Sequence, residues 1–422
     1  MVKLPCKRTF RRESVVKGRI MLSGKTVVVG VTGGIAAYKT ASLVSALKKQ
    51  GAEVHVIMTQ NAAEFIAPLT FETLSNNRCI VGRDGMFDRN FEYDVKHISL
   101  AKAADLIIVA PATANFIAKA AHGIADDMLT TVVLAAKCPK LAAPAMNTAM
   151  YENPATQDNL AKIKDYGWKI IEPAEGMLAC GDEGKGKMPE PSELLQHVLL
   201  EIAHEKDMQG LSVLVTAGPT QEPIDPVRYI TNHSSGKMGY AIAHAAALRG
   251  ADVILVSGHT ALDTPKGVTR VDVKSAEDMY KAVTKYAEKA DMVFKAAAVA
   301  DFTPKTTADH KIKKDNKKKA GMSIELKSTK DILAEIGQNK KKGQIICGFA
   351  METEDLLKNA KAKLEKKNLD MICANSLRTK GAGFAGDTNV VTIITKDDVT
   401  ELGCLSKLET AERILDAALK LR

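Results

Sequence analysis

One cysteine, Cys180, heads a glycine-rich charged run, Cys-Gly-Asp-Glu-Gly-Lys-Gly-Lys, inside a segment (176–191) with little apolar periodicity. Most cysteines are buried as small apolar residues. Gly181, Gly184 and Gly186 instead suit a surface loop with unusual backbone angles. A thiol on such a loop, beside Lys185 and Lys187, has the means to close over a substrate and move a proton. Upstream, Gly33 and Gly34 stand between a strand-like run and a helical pattern. Such a turn admits a phosphate at a helix N-terminus. It is neither a GxGxxG fingerprint nor a P-loop, and a plain turn fits as well. Thr59, Thr113 and Asn115 fall at the ends of further apolar runs, His97 just ahead of a helix and Asn147 after Pro-Ala-Met. Taken singly, His97 fits a structural or solvated histidine, and Asn147 a turn or cap.

The second half carries its own polar cluster. In Thr-Asn-His-Ser-Ser-Gly-Lys-Met-Gly, Ser234, Ser235, Gly236 and Lys237 supply donors at a helix start. That suits a phosphate, and equally an N-cap followed by a solvated lysine. Asp301 ends Ala-Ala-Ala-Val-Ala-Asp, and a carboxylate there can hold Mg²⁺ beside a triphosphate. The lysine-rich stretch that opens at Lys311 can neutralise phosphates, touch nucleic acid or simply face solvent.

Two similar halves must position these groups. Apolar runs at 25–31, 54–59, 106–111 and 140–146 read as buried parallel strands. Between the first two lies a helix with Leu43, Val44 and Leu47 on one face and Gly51 at its end. The pattern restarts at 211–220, 252–258, 291–302, 344–353 and 369–376, with a late strand or hairpin arm at 389–395. The fold class is therefore α/β, with two doubly wound, Rossmann-like parallel sheets. The predicted divisions are a basic extension over 1–20, a first domain over 21–191, a helical linker over 192–210 and a second domain over 211–422.

Composition narrows the classes. The chain has 422 residues, 45% of them hydrophobic and 26% charged, as soluble globular proteins do. No apolar run is long enough to span a bilayer, and the basic start lacks an apolar signal core. Seven scattered cysteines without a CxxC pair fit a reducing cytoplasm better than a disulfide framework or a zinc ribbon. A net charge of +9 points to anionic partners. Only 5% of residues are aromatic, which speaks against a base-stacking platform and a nucleic-acid partner. The missing GxGxxG speaks against an NAD(P)-dependent oxidoreductase.

In order along the first half stand Thr-Gly-Gly, His-Ile-Ser-Leu, Pro-Ala-Thr-Ala-Asn, Pro-Ala-Met-Asn-x-x-Met and Gly-Met-Leu-Ala-Cys. This set resembles the flavin-containing cysteine decarboxylases, and among them phosphopantothenoylcysteine decarboxylase of coenzyme A synthesis. The resemblance implies FMN against the Gly33 and Gly34 turn, Thr59, and the loop of Thr113 and Asn115. It implies that His97 is catalytic, that Asn147 holds the substrate carboxylate and that Cys180 belongs to a flexible flap. An amino-acid carboxylate leaves poorly because the carbanion has no sink. Oxidation of the cysteine-derived thiol toward a thioaldehyde supplies one, and FMN accepts that hydride. Loss of carbon dioxide gives an enethiolate. Hydride return and protonation at carbon complete the reaction, with Cys180 as the proton donor under a closed flap. Tyr151 stands where the family has Trp, and Lys187 where it has Arg, which keeps the charge but not bidentate binding.

The second half carries Thr-Ala-Gly-Pro-Thr-x-Glu-Pro-Ile-Asp, Asn-x-Ser-Ser-Gly-Lys-Met-Gly, Ala-Ala-Ala-Val-Ala-Asp, Lys-Ile-Lys-Lys and Gly-Phe-Ala-x-Glu-Thr in order. These resemble phosphopantothenate–cysteine ligase, so the whole chain is similar to the bifunctional fusion family. The resemblance implies that CTP activates the carboxylate of 4'-phosphopantothenate as an acyl-cytidylate, with loss of pyrophosphate. L-Cysteine then displaces CMP to give 4'-phosphopantothenoylcysteine, the substrate of the first half. Asn232 is implied to stabilise the acyl-cytidylate and Lys311 to be the catalytic lysine. Asp301 is implied to bind CTP and its Mg²⁺. Lys330, Asp331, Ile332, Leu333, Phe349, Lys363 and Lys367 are implied nucleotide contacts, Lys330 standing where proline is common. The family further implies a homo-oligomer, with trimeric flavin domains that enclose FMN between subunits, dimeric ligase domains and dodecameric assemblies.

Overall fold

The computed structural model describes residues 20–84, 95–177, 181–313, 322–352, 356–376 and 386–422. The chain forms two compact units, 1–203 and 204–422.

In the first unit, Val27, Val28, Val29 and Val31 of the strand Thr26–Val31 are fully buried, as expected of a strand covered on both faces. It pairs in parallel with Glu53–Met58 on one side and Leu106–Ala112 on the other. The six-stranded sheet runs Ile80–Val81, Glu53–Met58, Thr26–Val31, Leu106–Ala112, Lys140–Pro144, Lys169–Ile170. The strand order reverses between Thr26–Val31 and Leu106–Ala112. Beyond that crevice, at the carboxyl ends, such sheets bind ligands. The helix Ala37–Lys49 lays Ala37, Thr40, Leu43, Val44 and Leu47 on the sheet. Its C-terminal turn closes through Gly51 at φ +84°, an angle that favours glycine.

The helix Pro191–Ile202 falls within the segment expected to be a linker. Leu194, Val198, Leu199 and Ile202 form one buried face, which packs on Ala37–Lys49. It is therefore a helix of the first unit, and the division between units comes after Ala203.

The second unit repeats the order with eight strands: Val268–Asp272, Asp252–Ser257, Ser212–Ala217, Met292–Lys295, Ile345–Glu352, Met371–Ser376, Val391–Thr395, Val399–Glu401. The last two join antiparallel. The run expected as one strand over 291–302 stays in the sheet only over Met292–Lys295. Beyond it the amides of Ala297 and Ala300 donate to the Thr216 and Thr220 hydroxyls, and Ala298 N–H to the Gly218 carbonyl. The ladder breaks after Lys295 and resumes only as a single parallel bridge between Pro219 and Ala298. Phe302–Pro304 then pairs with Leu326–Ser328 in a separate hairpin. The edge strand Val268–Asp272 escapes sequence reading because it carries Arg270 and Asp272 and is only partly covered.

Candidate active sites

In the first unit, one hydroxyl joins the two strand ends at the switch point. Thr32 Oγ1 donates to the Pro111 carbonyl at 2.8 Å and accepts Thr113 N–H at 3.0 Å. Thr113 in turn caps the helix Ala114–His122 by accepting from Phe116 N–H at 3.4 Å. A Cβ on Gly33 would lie 2.6 Å from Asn61 Cβ, so glycine is what lets the turn after Thr59 approach. The result is two cavities that share Gly33, Thr113 and Met150. The larger, about 500 Å³, is lined by Gly34, Ile35, Tyr38, Asn147, Met177 and Lys187 among others. The smaller, about 340 Å³, reaches Thr59, Asn61, Asn115 and Asp127. An apolar wall with backbone donors at two helix starts is what a flat, phosphate-bearing cofactor requires.

Asn147 caps the helix Thr148–Glu152, accepting from Ala149 N–H at 2.8 Å. Its Nδ2 donates to Asp182 Oδ2 at 2.6 Å. Asp182 is carried by the connection between the antiparallel strands Ala174–Met177 and Glu183–Lys187. That hairpin docks through backbone, with Met146 N–H donating to the Gly186 carbonyl at 3.0 Å. Cys180 belongs to the same connection and lies outside the described residues. His97 is half-buried on the helix Lys96–Ala103. Its Nδ1 is buried without a partner among the described residues, and it lines neither cavity. Tyr151 is buried, donates its hydroxyl to Glu172 at 3.1 Å and has its pKa pushed up to about 12 by burial and that carboxylate.

In the second unit, the helix Lys237–Leu248 starts at Gly236, φ +76°, with no side-chain cap. A Cβ on Gly239 would meet Ala217 Cβ at 2.6 Å, so the helix start lies hard against the strand end. A cavity of about 360 Å³ opens there, lined by residues 234–239 and 295–299, Asp301, Phe349, Ala350, Asn375, Asn389, Val391 and Lys407. Burial brings Lys295 down to about 8; Lys367 pushes the same way, and Asp331 and Asp301 oppose it. Asp331 caps the helix Ile332–Gln338 and pairs with Lys367 at 2.8 Å. Among the described residues no group of three or more His, Cys, Asp or Glu side chains could hold a metal. A single carboxylate, Asp301, still suits Mg²⁺ that arrives on a nucleotide, since that ion keeps phosphate and water ligands.

Residues 17–203 match the family described as "Flavoprotein", and residues 208–421 the "DNA/pantothenate metabolism flavoprotein C-terminal domain". The chain is 51% identical over 399 residues to the "Coenzyme A biosynthesis bifunctional protein CoaBC" of Bacillus subtilis (strain 168), covering 94% of this chain and 97% of that one. It belongs to the CoaBC family. The Escherichia coli (strain K12) CoaBC is 43% identical, across 89% of this chain and 92% of its own. A crystal structure of a CoaBC C-terminal domain is 47% identical and covers 50% of this chain and 94% of its own, at a TM-score of 0.42.

In this chain the structure gathers Gly33, Gly34, Thr59, Thr113, Asn115 and Asn147 around the first pair of cavities. Around the second it gathers Asp301 and Phe349. The other expected residues of the second unit do not line that cavity. Asn232 sits at its rim, donating to the Ala298 carbonyl at 3.2 Å. Ile332 and Leu333 are core residues. Lys330 pairs with Glu277 at 3.1 Å and lies over the Tyr280 ring. Lys363 is exposed on the helix Leu356–Lys366, and Lys311 is exposed on its loop. Sequence reading named none of Lys295, Asn375, Asn389 and Lys407 as site residues. Two of them left a signal: Lys295 is a lysine closing an apolar strand at the carboxyl edge of the sheet, and Asn389 ends the run Gly-Phe-Ala-Gly-Asp-Thr-Asn (383–389), which resembles the ligase family.

Proposed function

We propose that the second unit joins L-cysteine to 4'-phosphopantothenate at the expense of CTP, and that the first unit decarboxylates the product to 4'-phosphopantetheine with FMN. The observation that carries this reading is the pair of cavities, each at the carboxyl-edge switch point of its own sheet, in a chain with both halves of the CoaBC family.

In the ligase reaction a carboxylate oxygen attacks the α-phosphorus of CTP and pyrophosphate leaves. The amine of cysteine then attacks the acyl carbon and CMP leaves. Lys237, Lys295 and Lys407 around the cavity offset phosphate charge, with Asp301 at the metal that the triphosphate brings. Asn232 holds the acyl-cytidylate at the rim, and Lys311 reaches the phosphates from its loop. Lys367, set by Asp331, and Lys330 and Lys363 would serve the outer end of the nucleotide.

In the decarboxylase, Gly33, Gly34, Thr59, Thr113 and Asn115 would hold FMN, which supplies the electron sink. Asn147 orients the substrate carboxylate; its amide already donates to a carboxylate, that of Asp182. The hairpin excludes water, and Cys180 gives its proton to carbon. His97 lines neither cavity of its own chain. In a trimer with FMN between subunits it would complete a neighbour's site. Val227 and Tyr229 on the hairpin of Gln221–Pro223 with Tyr229–Thr231, and Phe302 and Leu326 on the hairpin of Phe302–Pro304 with Leu326–Ser328, are each about half exposed and give the ligase half an apolar face for a homodimer. Five described cysteines are free thiols, which suits the cytoplasm.

Mass spectrometry of the purified chain with phosphopantothenate, cysteine, Mg²⁺ and CTP tests both halves. The wild type is expected to yield phosphopantetheine. Cys180→Ser is expected to lose at least about tenfold in that product and to accumulate the decarboxylated species two hydrogens short. A folded, flavin-loaded wild type that makes neither phosphopantetheine nor phosphopantothenoylcysteine would overturn the assignment. Full turnover by Cys180→Ser would remove the thiol from proton delivery.

A further inference from the structure

Lys311 is flanked by a grip on the main chain. Asp225, only 2% exposed, divides its two carboxylate oxygens between different tasks. Oδ1 accepts the N–H groups of Val227 at 2.9 Å and Arg228 at 2.8 Å, which closes a local turn. Oδ2 accepts Arg228 Nε–H at 2.9 Å and Ile312 N–H at 3.2 Å, from a segment 87 positions along the chain. Arg228 Nη2 donates both to Asp225 Oδ2 and, at 2.9 Å, to the Ile312 carbonyl. Both polar groups of residue 312 are therefore bound by one ion pair. The preceding stretch lies on the hairpin that carries this turn, Gln221–Pro223 with Tyr229–Thr231, with Ala308 N–H on the Ile224 carbonyl at 3.0 Å and the Thr307 hydroxyl on the Pro223 carbonyl at 3.2 Å.

We propose that Asp225, acting with Arg228, is a positioning residue for the ligase reaction: it fixes the backbone of 311–313 and so sets where the Lys311 ammonium is delivered. This rests on the role given to Lys311 above. A lysine side chain has many rotamers, so its ammonium is localised only as well as its Cα is. The turn needs only Oδ1, and the bond from Oδ2 to Ile312 adds nothing to it. The Arg228 guanidinium holds the Asp225 carboxyl well below the usual carboxylate range, so the grip stays charged near neutral pH.

The test is a double-mutant cycle on the full chain, read as pyrophosphate release with phosphopantothenate, CTP, Mg²⁺ and cysteine. Asp225→Asn puts an amide where one carboxylate served N–H donors on two sides, so it cannot satisfy both. It is expected to lower ligase kcat about tenfold. Lys311→Gln is expected to lower it further, and the double variant no further than Lys311→Gln alone. Decarboxylation of phosphopantothenoylcysteine by the Asp225→Asn chain should be unchanged. Tryptic cleavage after Lys311 and Lys313 should quicken about tenfold at an unchanged melting temperature. Ile312→Pro removes the gripped N–H but leaves the ion pair, and should reproduce the loss if Asp225→Asn does not fold. A double variant that loses the product of the two factors overturns the proposal, because Asp225 then supports the unit without acting through Lys311. So does an Asp225→Asn chain within twofold of wild type while Lys311→Gln is impaired. An active Lys311→Gln enzyme instead sinks the role of Lys311 itself.

Discussion

Gly186→Ala is expected to lower the decarboxylation rate about 10²-fold while FMN absorbance and ligase activity stay as in the wild type. Gly186 has φ +144°, a conformation nearly closed to residues with a Cβ. That Cβ would stand 2.2 Å from the Met146 carbonyl oxygen. This oxygen cannot retreat easily, because Ala145 N–H is bonded to the Ala112 carbonyl and Met146 N–H to the Gly186 carbonyl itself. The hairpin must therefore shift as a body, and Asp182 shifts away from Asn147 with it. A displacement of about 1 Å in a positioned group is enough for a loss of about 10²-fold. Gly184→Ala, at φ +157°, would place its Cβ 2.8 Å from the Thr148 hydroxyl, a side chain that can turn away. Its loss should be smaller. Gly167→Ala, also at positive φ but with nothing within 4 Å, is the control: slightly less stable, fully active. Steady-state decarboxylation and the flavin spectrum of the three variants decide it. Wild-type turnover by Gly186→Ala would mean that hairpin docking is irrelevant to the chemistry.

The same glycines show why part of the site was legible in the sequence. Gly184 and Gly186 announced an unusual backbone, and buried apolar runs such as 26–31 announced the strands whose ends carry the polar groups. A residue at a strand end, such as Thr113 after Leu106–Ala112, follows from topology alone, because a parallel sheet delivers its chemistry at one edge. What escaped depends on pairing between distant segments. Asn375 and Asn389 meet only because an antiparallel strand returns beside Met371–Ser376, with Asn375 Nδ2 donating to Asn389 Oδ1 at 2.7 Å. The grip of Asp225 on residue 312 is likewise a product of two hairpins that no local period encodes. Lys295 was hidden differently. A lysine at the end of an apolar strand reads as a solvated terminus until the cavity around it is seen.

That lysine carries the other large effect. Lys295→Met is expected to raise the KM for CTP about 10- to 100-fold and, in the same protein, to make the unliganded ligase unit more stable. A charge-assisted contact to phosphate is worth about 1.5–3 kcal/mol, which sets the first figure. The second follows from proton linkage. Lys295 is held at about 8 in the folded chain against 10.5 for an ordinary lysine. Between those values the unfolded state binds the extra proton, so stability from this group rises with pH across that window. Below about 8 the penalty for burying the ammonium is fully present, on the order of 2–3 kcal/mol at neutral pH. Methionine fills much the same space without it. The melting temperature of the ligase transition should then rise by about 5–8 °C near pH 7 and by less at pH 9. The kinetic sign runs the other way. In the proposed role Lys295 meets CTP in its charged form, so wild-type kcat/KM for CTP should fall as pH rises through about 8. The variant should lack that inflection, whatever the titration of cysteine adds equally to both. Calorimetric melting and CTP titration over pH 6.5–9 read the two effects separately. A variant with unchanged KM and no gain in stability would show that Lys295 neither meets the nucleotide nor is strained by its burial. Gain in stability with loss of affinity would show that the fold holds a desolvated cation at the sheet edge because the nucleotide is what neutralises it.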